Sequence, residues 1–206
     1  AAYFVAASTS AEIRFQSWNP DADSSVFVDD IVVEEGAAPA GPLPPFLING
    51  GFEEESIASD GSKSVEMRPF GWTGDGSGVH IVKNGGSNGF GGTSSGHGQY
   101  MVALEKNKKI RQVITGLVTG ETYRVSFVGM SRPGQHENRM EVAVDRERVL
   151  LQGRFHFPDS ARIYHAYFTA TWTEHEIQLF NRAQDDNAIV MIDHVVIDVG
   201  SPPATP

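Results

Sequence analysis

The stretch TYRVSFVGMS, residues 122–131, decides the fold that the sequence predicts. Tyr123, Val125 and Phe127 alternate with the polar residues Arg124 and Ser126. This period of two is typical of a strand that buries one face. The same alternation predicts that Val128 and Met130 point away from the core. Residues 122–131 are therefore predicted to form a long strand of a sheet that is half buried.

Similar short segments recur along the chain with turn residues between them and almost no helical periodicity. The segments predicted as strands are 46–48, 79–82, 99–104, 110–115, 139–145, 148–152, 164–170, 174–180 and 189–198. The glycine-rich region 72–98 is predicted to form long surface loops that cannot pack a core. Many short strands at this spacing predict an all-β fold, an antiparallel β-sandwich.

The two ends of the chain repeat each other. Residues 1–42 align without a gap with residues 165–206, and the identities include Asp29 with Asp193. A repeat of this length has the size of a whole domain. The predicted organisation is 1–33 as the C-terminal strands of an upstream copy, 34–45 as a Pro/Ala/Gly linker, 46–199 as a complete β-sandwich and 200–206 as the start of the next linker.

Residues 1–33 are predicted to form a hairpin with one apolar face, and nothing in the sequence is assigned to cover that face. Two interpretations remain open. The rest of the upstream domain is missing from this sequence, or the hairpin packs on another molecule by strand addition.

Composition excludes several classes of function. The net charge of −10 argues against a duplex nucleic-acid partner, because such a partner requires clustered Lys and Arg. No apolar run reaches the roughly 18 residues of a membrane span. The absence of cysteine fits a microbial or algal surface protein without disulfides, or a cytosolic protein. The richness in Gly, Ser, Thr and Asn with few Lys favours an extracellular or cell-surface location.

Enzyme motifs are also absent from the sequence. No His-Glu-x-x-His zinc motif and no phosphate loop occurs. Residues 92–96 have glycines at both ends around Ser94, but they lie in a glycine-rich loop without the strand-to-helix turn of a hydrolase nucleophile. The sequence is therefore predicted not to be an enzyme.

Four motifs resemble one family of jelly rolls. They are Asn-Gly-Gly-Phe-Glu at 49–53, Gly-Trp at 71–72, the turn and strand at 115–127 with Gln112 ahead of them, and Ile-Asp-His-Val at 192–195. In residues 46–199 the chain resembles the galactose-binding-like jelly rolls, which include family-4-type carbohydrate-binding modules and the domains of unknown function 642. The resemblance implies a jelly-roll sandwich.

The resemblance also implies a structural calcium ion bound by Glu53 and Asp193, with backbone carbonyls nearby. Calcium takes six to eight hard oxygen ligands, and such a site would tie the first strand to the last. Two alternatives remain open: both acids are solvated at the sheet edge, or Asp193 accepts hydrogen bonds from backbone amides without a metal.

In relatives of this kind a sugar lies on the concave sheet or at the loop rim. Strand alternation and side-chain chemistry select five candidate ligand-binding residues, Trp72, Gln99, Arg132, Arg139 and His165. Trp72 is equally explained as a core residue, and the arginines as solvated or paired with acids. The same face is also suited to contact with a neighbouring protein.

Two hypotheses about function follow. In the first, the chain is a calcium-stabilised carbohydrate-binding module that binds a glycan or polysaccharide, with repeated copies adding avidity. In the second, it is a structural or adhesive subunit of a surface fibre or filament that assembles with neighbouring copies of itself through the N-terminal hairpin.

Overall fold

The structure is a computed structural model that describes residues 45–54, 64–66, 68–85, 89–135, 138–149, 157–183 and 187–202. The chain divides into two units, Ala1–Leu43 and Pro44–Pro206, and all described residues belong to the second. The strands predicted at 1–33 lie outside the described residues, as does the predicted linker up to its last residue. Both stay predictions.

Eleven β-strands and no helix are present in the described ranges. The strands are β1 (Ser64–Glu66), β2 (Thr73–Gly74), β3 (Val79–Lys83), β4 (Tyr100–Leu104), β5 (Lys109–Thr115), β6 (Thr122–Ser131), β7 (Met140–Val144), β8 (Glu147–Val149), β9 (Arg162–Thr169), β10 (Glu174–Asn181) and β11 (Val190–Val199). Accordingly, this part of the chain contains no helix that could span a membrane.

The described strands form two antiparallel sheets. One has the order β1-β3-β4-β11-β6-β9 and the other the order β2-β5-β10-β7-β8. Because neighbours along the chain often lie in opposite sheets, the connections cross between the sheets as in a jelly roll. The predicted all-β sandwich is confirmed. The predicted strand at 46–48 is wrong in extent, since it makes only a single bridge, from Phe46 to Thr115.

The main core lies between the two sheets and follows the predicted alternation. Tyr123, Val125 and Phe127 of β6 are buried in it, as are Met140 and Val142 of β7. Burying side chains of this size contributes about 1.5–3 kcal/mol each to the free energy of unfolding. The period of two in the sequence therefore identified the inward face of these strands correctly.

A second, smaller core lies on the outer side of the six-stranded sheet. Val128 and Met130 point away from the main core, as predicted, but they are 2% and 0% exposed. They pack with Phe90 of the glycine-rich loop, and the hydroxyl of Thr93 in the same loop donates to Met191 Sδ at 3.0 Å. The prediction that the glycine-rich region packs no core is wrong, because Phe90 of this region covers these side chains.

Candidate functional site

The motif at residues 49–53 forms a tight turn that joins the start of the domain to its last strand. Asn49 and Phe52 have positive φ angles of 48° and 56°, and Phe52 N–H donates to Asn49 C=O at 3.2 Å. The Phe52 ring is buried and lies 5.7 Å from the ring of Trp72. Val195 N–H donates to Gly50 C=O at 2.8 Å, which fixes the turn against β11.

This contact falls at an irregularity in β11. The register against β6 shifts between Asp193 and Val196, and His194 has a φ of 50°. Such a bulge re-aims the side chains beside it. The bulge places Asp193 under the glycine-rich loop, and the His194 ring stacks on His97 of that loop with centroids 4.2 Å apart.

Asp193 is fully buried and lies among polar partners. Its Oδ2 accepts hydrogen bonds from the hydroxyl of Ser95 and from Asn84 Nδ2 at 3.4 Å, and its Oδ1 accepts from His194 N–H at 2.6 Å. Burial raises the pKa of Asp193 to about 6, the three hydrogen bonds oppose that rise, and the charge of nearby Glu53 adds to it. The alternative of a solvated edge position is therefore excluded for Asp193.

Glu53 caps the backbone that leads into β4. Its Oε1 accepts from the N–H groups of Gln99 and Tyr100 at 2.9 and 3.0 Å, and its Oε2 accepts from Gln99 N–H at 2.9 Å. A Cβ atom at Gly98 would lie 2.0 Å from Glu53 Oε1, and Gly98 has a φ of 55°. Only glycine fits there without displacing the carboxylate or straining the backbone.

Four oxygen atoms surround the side-chain nitrogen of Asn84. They are the carbonyls of His97, Gly98 and Tyr100, the last two at 3.3 Å, and Asp193 Oδ2 at 3.4 Å. An amide has only two hydrogens to offer, so this cage contains more acceptors than the amide can satisfy. A buried carboxylate with several carbonyls is a set of hard oxygens of the kind that binds calcium, and an ion there would take the place of the Asn84 amide nitrogen.

The residues that would hold calcium are Asp193 and the three carbonyls, with Glu53 close enough to act on the pKa of Asp193. In the described ranges, no group of three or more His, Asp or Glu side chains is placed to bind a metal. A cation here would therefore depend on backbone carbonyls, as the resemblance implies. Calcium binding by Glu53 and Asp193 stays a prediction.

The five predicted ligand-binding residues do not share one surface. Trp72 is 4% exposed and its Nε1 donates to Asn49 C=O, so its ring is closed to a ligand and serves the core. His165 lies on the six-stranded sheet with Nδ1 2.9 Å from Ser126 Oγ. Gln99 is exposed beside Glu53, Arg132 directly follows β6, and Arg139 directly precedes β7 of the other sheet.

The outer side of the five-stranded sheet offers a better-defined surface, which we call the β10 face. Its residues alternate along the strands with core residues such as Ile177 and Leu179. The β10 face consists of Lys109, Arg111, Glu141, Ala143, Glu176, Gln178 and Phe180. In one row across the strands, Gln178 lies between Arg111 and Ala143. In the next row, Phe180 lies between Lys109 and Glu141.

Gln178 and Ala143 form the floor of the β10 face. They point away from the core, yet they are only 7% and 5% exposed. The Gln178 amide donates to Glu176 Oε1 at 2.6 Å, and Arg111 donates to Glu176 Oε2 at 3.3 Å. The middle of this face thus has a sunken floor, and hydrogen bonds run from Arg111 through Glu176 to Gln178.

An aromatic ring stands beside this floor. The guanidinium of Arg182 lies 4.1 Å and the ammonium of Lys109 5.6 Å from the centroid of the Phe180 ring. Arg182 also donates to Glu141 at 3.2 Å. The β10 face therefore combines one ring with planar amide, carboxylate and guanidinium groups, which can bind pairs of hydroxyls. Alternation along 174–180 is the sequence signal that would have identified Gln178 and Phe180.

Comparison with known proteins agrees with this architecture. The Stig cyclase Fisc from Fischerella sp. TAU, solved in complex with a pyrrolidinylidene indole, is 14% identical and has a TM-score of 0.58, over 76% of this chain and 97% of that chain. The CBM22-1 xylan-binding domain of Paenibacillus barcinonensis Xyn10C is 13% identical with a TM-score of 0.51, over 79% of this chain and 97% of that chain. At these identities the likeness establishes the fold alone.

The tandem CBM22-1-CBM22-2 domain of the same Paenibacillus protein is 15% identical with a TM-score of 0.51, over 82% of this chain and 50% of that chain. No curated protein sequence matches the chain. A family model described as a protein of unknown function (DUF642) matches residues 45–198. Because this match covers most of the sequence, the chain belongs to the DUF642 family.

Proposed function

We propose that this protein is a non-catalytic carbohydrate-binding module that binds a neutral polysaccharide on the β10 face. The observation that carries the proposal is the sunken floor of Gln178 and Ala143, with Arg111 in the same row and the Phe180 ring beside it. The similar fold of the CBM22-1 xylan-binding domain supports the proposal. Calcium at Asp193 and an extracellular or cell-surface location are parts of the same proposal.

The side chains of the β10 face suit sugar hydroxyls. Gln178, Glu176 and Arg111 are already joined by hydrogen bonds, so a ligand meets groups with fixed geometry and pays little ordering entropy. The ring of Phe180 supplies an apolar surface for the C–H face of a sugar. A sugar that stacks there competes with Arg182 for the ring, so the affinity of a single site is expected to be modest.

The charges on the β10 face favour a neutral ligand. Within this face Lys109 and Arg111 are matched in number by Glu141 and Glu176. Glu176 pairs with Arg111, and Glu141 pairs with Arg182 beside the face, which leaves a single net positive charge. A polyanion would meet those acids and a chain whose net charge is −10. An uncharged polysaccharide encounters neither penalty.

Substitutions on the β10 face test the proposal. Phe180→Ala and Gln178→Ala are each expected to raise the Kd for soluble xylan about tenfold, because loss of a ring contact or a fixed hydrogen-bonding group costs about 1.4 kcal/mol. Affinity gel electrophoresis with and without the polysaccharide measures this change. Circular dichroism melting verifies that each variant is folded.

The matched control is Ile163→Ala, which removes an exposed apolar side chain from the opposite sheet and is expected to bind as the wild type does. Other neutral polysaccharides are run beside xylan. The proposed site is wrong if no neutral polysaccharide retards the wild-type protein. It is also wrong if Phe180→Ala and Gln178→Ala both bind as the control Ile163→Ala and the wild type do.

A further inference from the structure

A single tryptophan projects from the turn between β9 and β10. Trp172 is 70% exposed, whereas Trp72 is 4% exposed. Thr169 ends β9 and Glu174 begins β10, so Trp172 lies in a short connection. Among the described residues, no aromatic ring packs on the Trp172 indole. Tryptophan is enriched at surfaces that bind a partner, because its ring is apolar and its N–H is polar.

The backbone of this turn is held in place by a buried histidine. Nε2 of His175, which is 4% exposed, accepts hydrogen bonds from the N–H groups of Thr171 at 3.0 Å and Trp172 at 3.3 Å. Nε2 must therefore carry the lone pair, so the ring proton is on Nδ1. That proton is donated to Asp145 Oδ2, and Asp145 Oδ1 accepts from Glu176 N–H at 2.8 Å.

The neighbouring loop fixes the same turn at two more points. Leu117 N–H donates to Thr173 C=O at 3.1 Å, and Gly120 N–H donates to Ala170 C=O at 2.7 Å. Both residues lie in the connection between β5 and β6. The backbone of the turn that carries Trp172 is thus tied on both sides and has little freedom left to lose on binding.

The surroundings of Trp172 identify the kind of partner. Thr171, Thr173 and Glu174 next to it are all exposed and polar. A stable protein interface needs about 1,000 Å² of complementary surface, which one indole with a polar rim does not provide. One face of an indole surrounded by hydroxyls matches a single sugar ring, which has an apolar C–H face and a polar edge.

We propose that Trp172 is a second carbohydrate contact, a stacking platform for one sugar ring at the end of β10 remote from Phe180. His175 and Asp145 act as positioning residues for it. This inference rests on the proposed function. Between Glu174 and Phe180 the strand spans roughly 20 Å, so the platform contacts a different sugar unit from the one on Phe180.

The test compares Trp172→Ala, Trp172→Phe and Phe180→Ala in binding to soluble xylan. Trp172→Ala is expected to raise the Kd at least fivefold, and Trp172→Phe, which keeps a ring, less. Xylan is also expected to protect wild-type tryptophan fluorescence from iodide quenching. That protection should vanish in Trp172→Phe, which retains Trp18 and Trp72.

The role of His175 is tested by a double-mutant cycle. His175→Ala is expected to raise the Kd as Trp172→Ala does, and the double variant to raise it no further, because both changes remove one platform. His175→Gln, which keeps an acceptor, is expected to restore part of the affinity and serves if His175→Ala does not fold.

The outcomes separate this inference from the proposed function. If Phe180→Ala weakens binding and Trp172→Ala does not, the platform is wrong and the β10 face stands. If the wild type binds no neutral polysaccharide, both are wrong. If Trp172→Ala lowers the mass measured by light scattering without changing the Kd, the indole contacts a second copy of the chain and the inference is overturned.

Discussion

Asp193→Asn is expected to raise the melting temperature of chelator-treated protein at pH 7 and to lower it in excess calcium. In chelator the wild type holds a buried charge, whereas the asparagine amide is neutral and can still pair with Ser95 and His194 N–H. In calcium the wild type gains the free energy of binding, about 2.7 kcal/mol at 100 times the Kd. The variant loses a charged ligand and most of this gain.

The pH dependence of the chelated wild type has a definite sign. Burial raises the pKa of Asp193 from 3.8 to about 6, so the folded state binds more protons than the unfolded state between these values. Stability is therefore expected to fall as pH rises from about 4 to about 6 and to stay low above that. The full change corresponds to about 3 kcal/mol, and the variant lacks it.

Thermal melts at pH 4.5, 6 and 7.5, with chelator or calcium, measure both effects. For a domain of this size, about 1 kcal/mol shifts the melting temperature by about 2–4 °C. A variant less stable than the wild type in chelator would show that the hydrogen bonds of Asp193 outweigh the cost of its buried charge. If calcium does not raise the melting temperature of the wild type, the carbonyls of His97, Gly98 and Tyr100 hold no cation.

Gly50→Ala is expected to destabilise the domain by about 2–4 kcal/mol. A Cβ atom at residue 50 would lie 2.1 Å from the carbonyl oxygen of Val195 and 2.9 Å from Leu47 Cδ2. The first of these atoms belongs to the backbone and cannot move away by a change of rotamer. The turn would therefore move away from β11, and the hydrogen bond from Val195 N–H to Gly50 C=O would be lost. Urea denaturation followed by tryptophan fluorescence measures the change.

Gly51→Ala is the matched control for this substitution. A Cβ atom at residue 51 would meet nothing closer than Glu53 Cγ at 3.8 Å, which is ordinary contact. Its free energy of unfolding is expected to stay within about 0.5 kcal/mol of the wild type. Equal losses for the two variants would show that the turn at 49–53 is not held against β11.

The sequence predicted the strands well because their signal is local. Alternation at Tyr123 and Val125 depends only on neighbours in the chain. Eight of the predicted strands, from 79–82 to 189–198 and not counting 148–152, start and end within two residues of the observed ones. The pairing of Glu53 with Asp193 was reached through the family resemblance. In the structure the two acids lie close enough for the charge of Glu53 to raise the pKa of Asp193.

What the sequence did not predict depends on contacts between distant segments. Val128 and Met130 were expected on an open face, but the loop that carries Phe90 buries them. Alternation along 174–180 could have placed Gln178 on an outward face, but only the register between strands places it between Arg111 and Ala143. Trp72 was chosen as an aromatic residue in a loop region, and only its packing on Phe52 shows that it belongs to the core.

Chemical-shift mapping with xylohexaose most directly tests carbohydrate binding on the β10 face. Backbone amide spectra of ¹⁵N-labelled protein in calcium are recorded as the oligosaccharide is added, and the experiment is repeated with fragments of other neutral polysaccharides. The proposal predicts that the amides of β5, β7 and β10 shift most, with the side-chain amide of Gln178 among them. No shift with any fragment, or shifts confined to the six-stranded sheet, would contradict it.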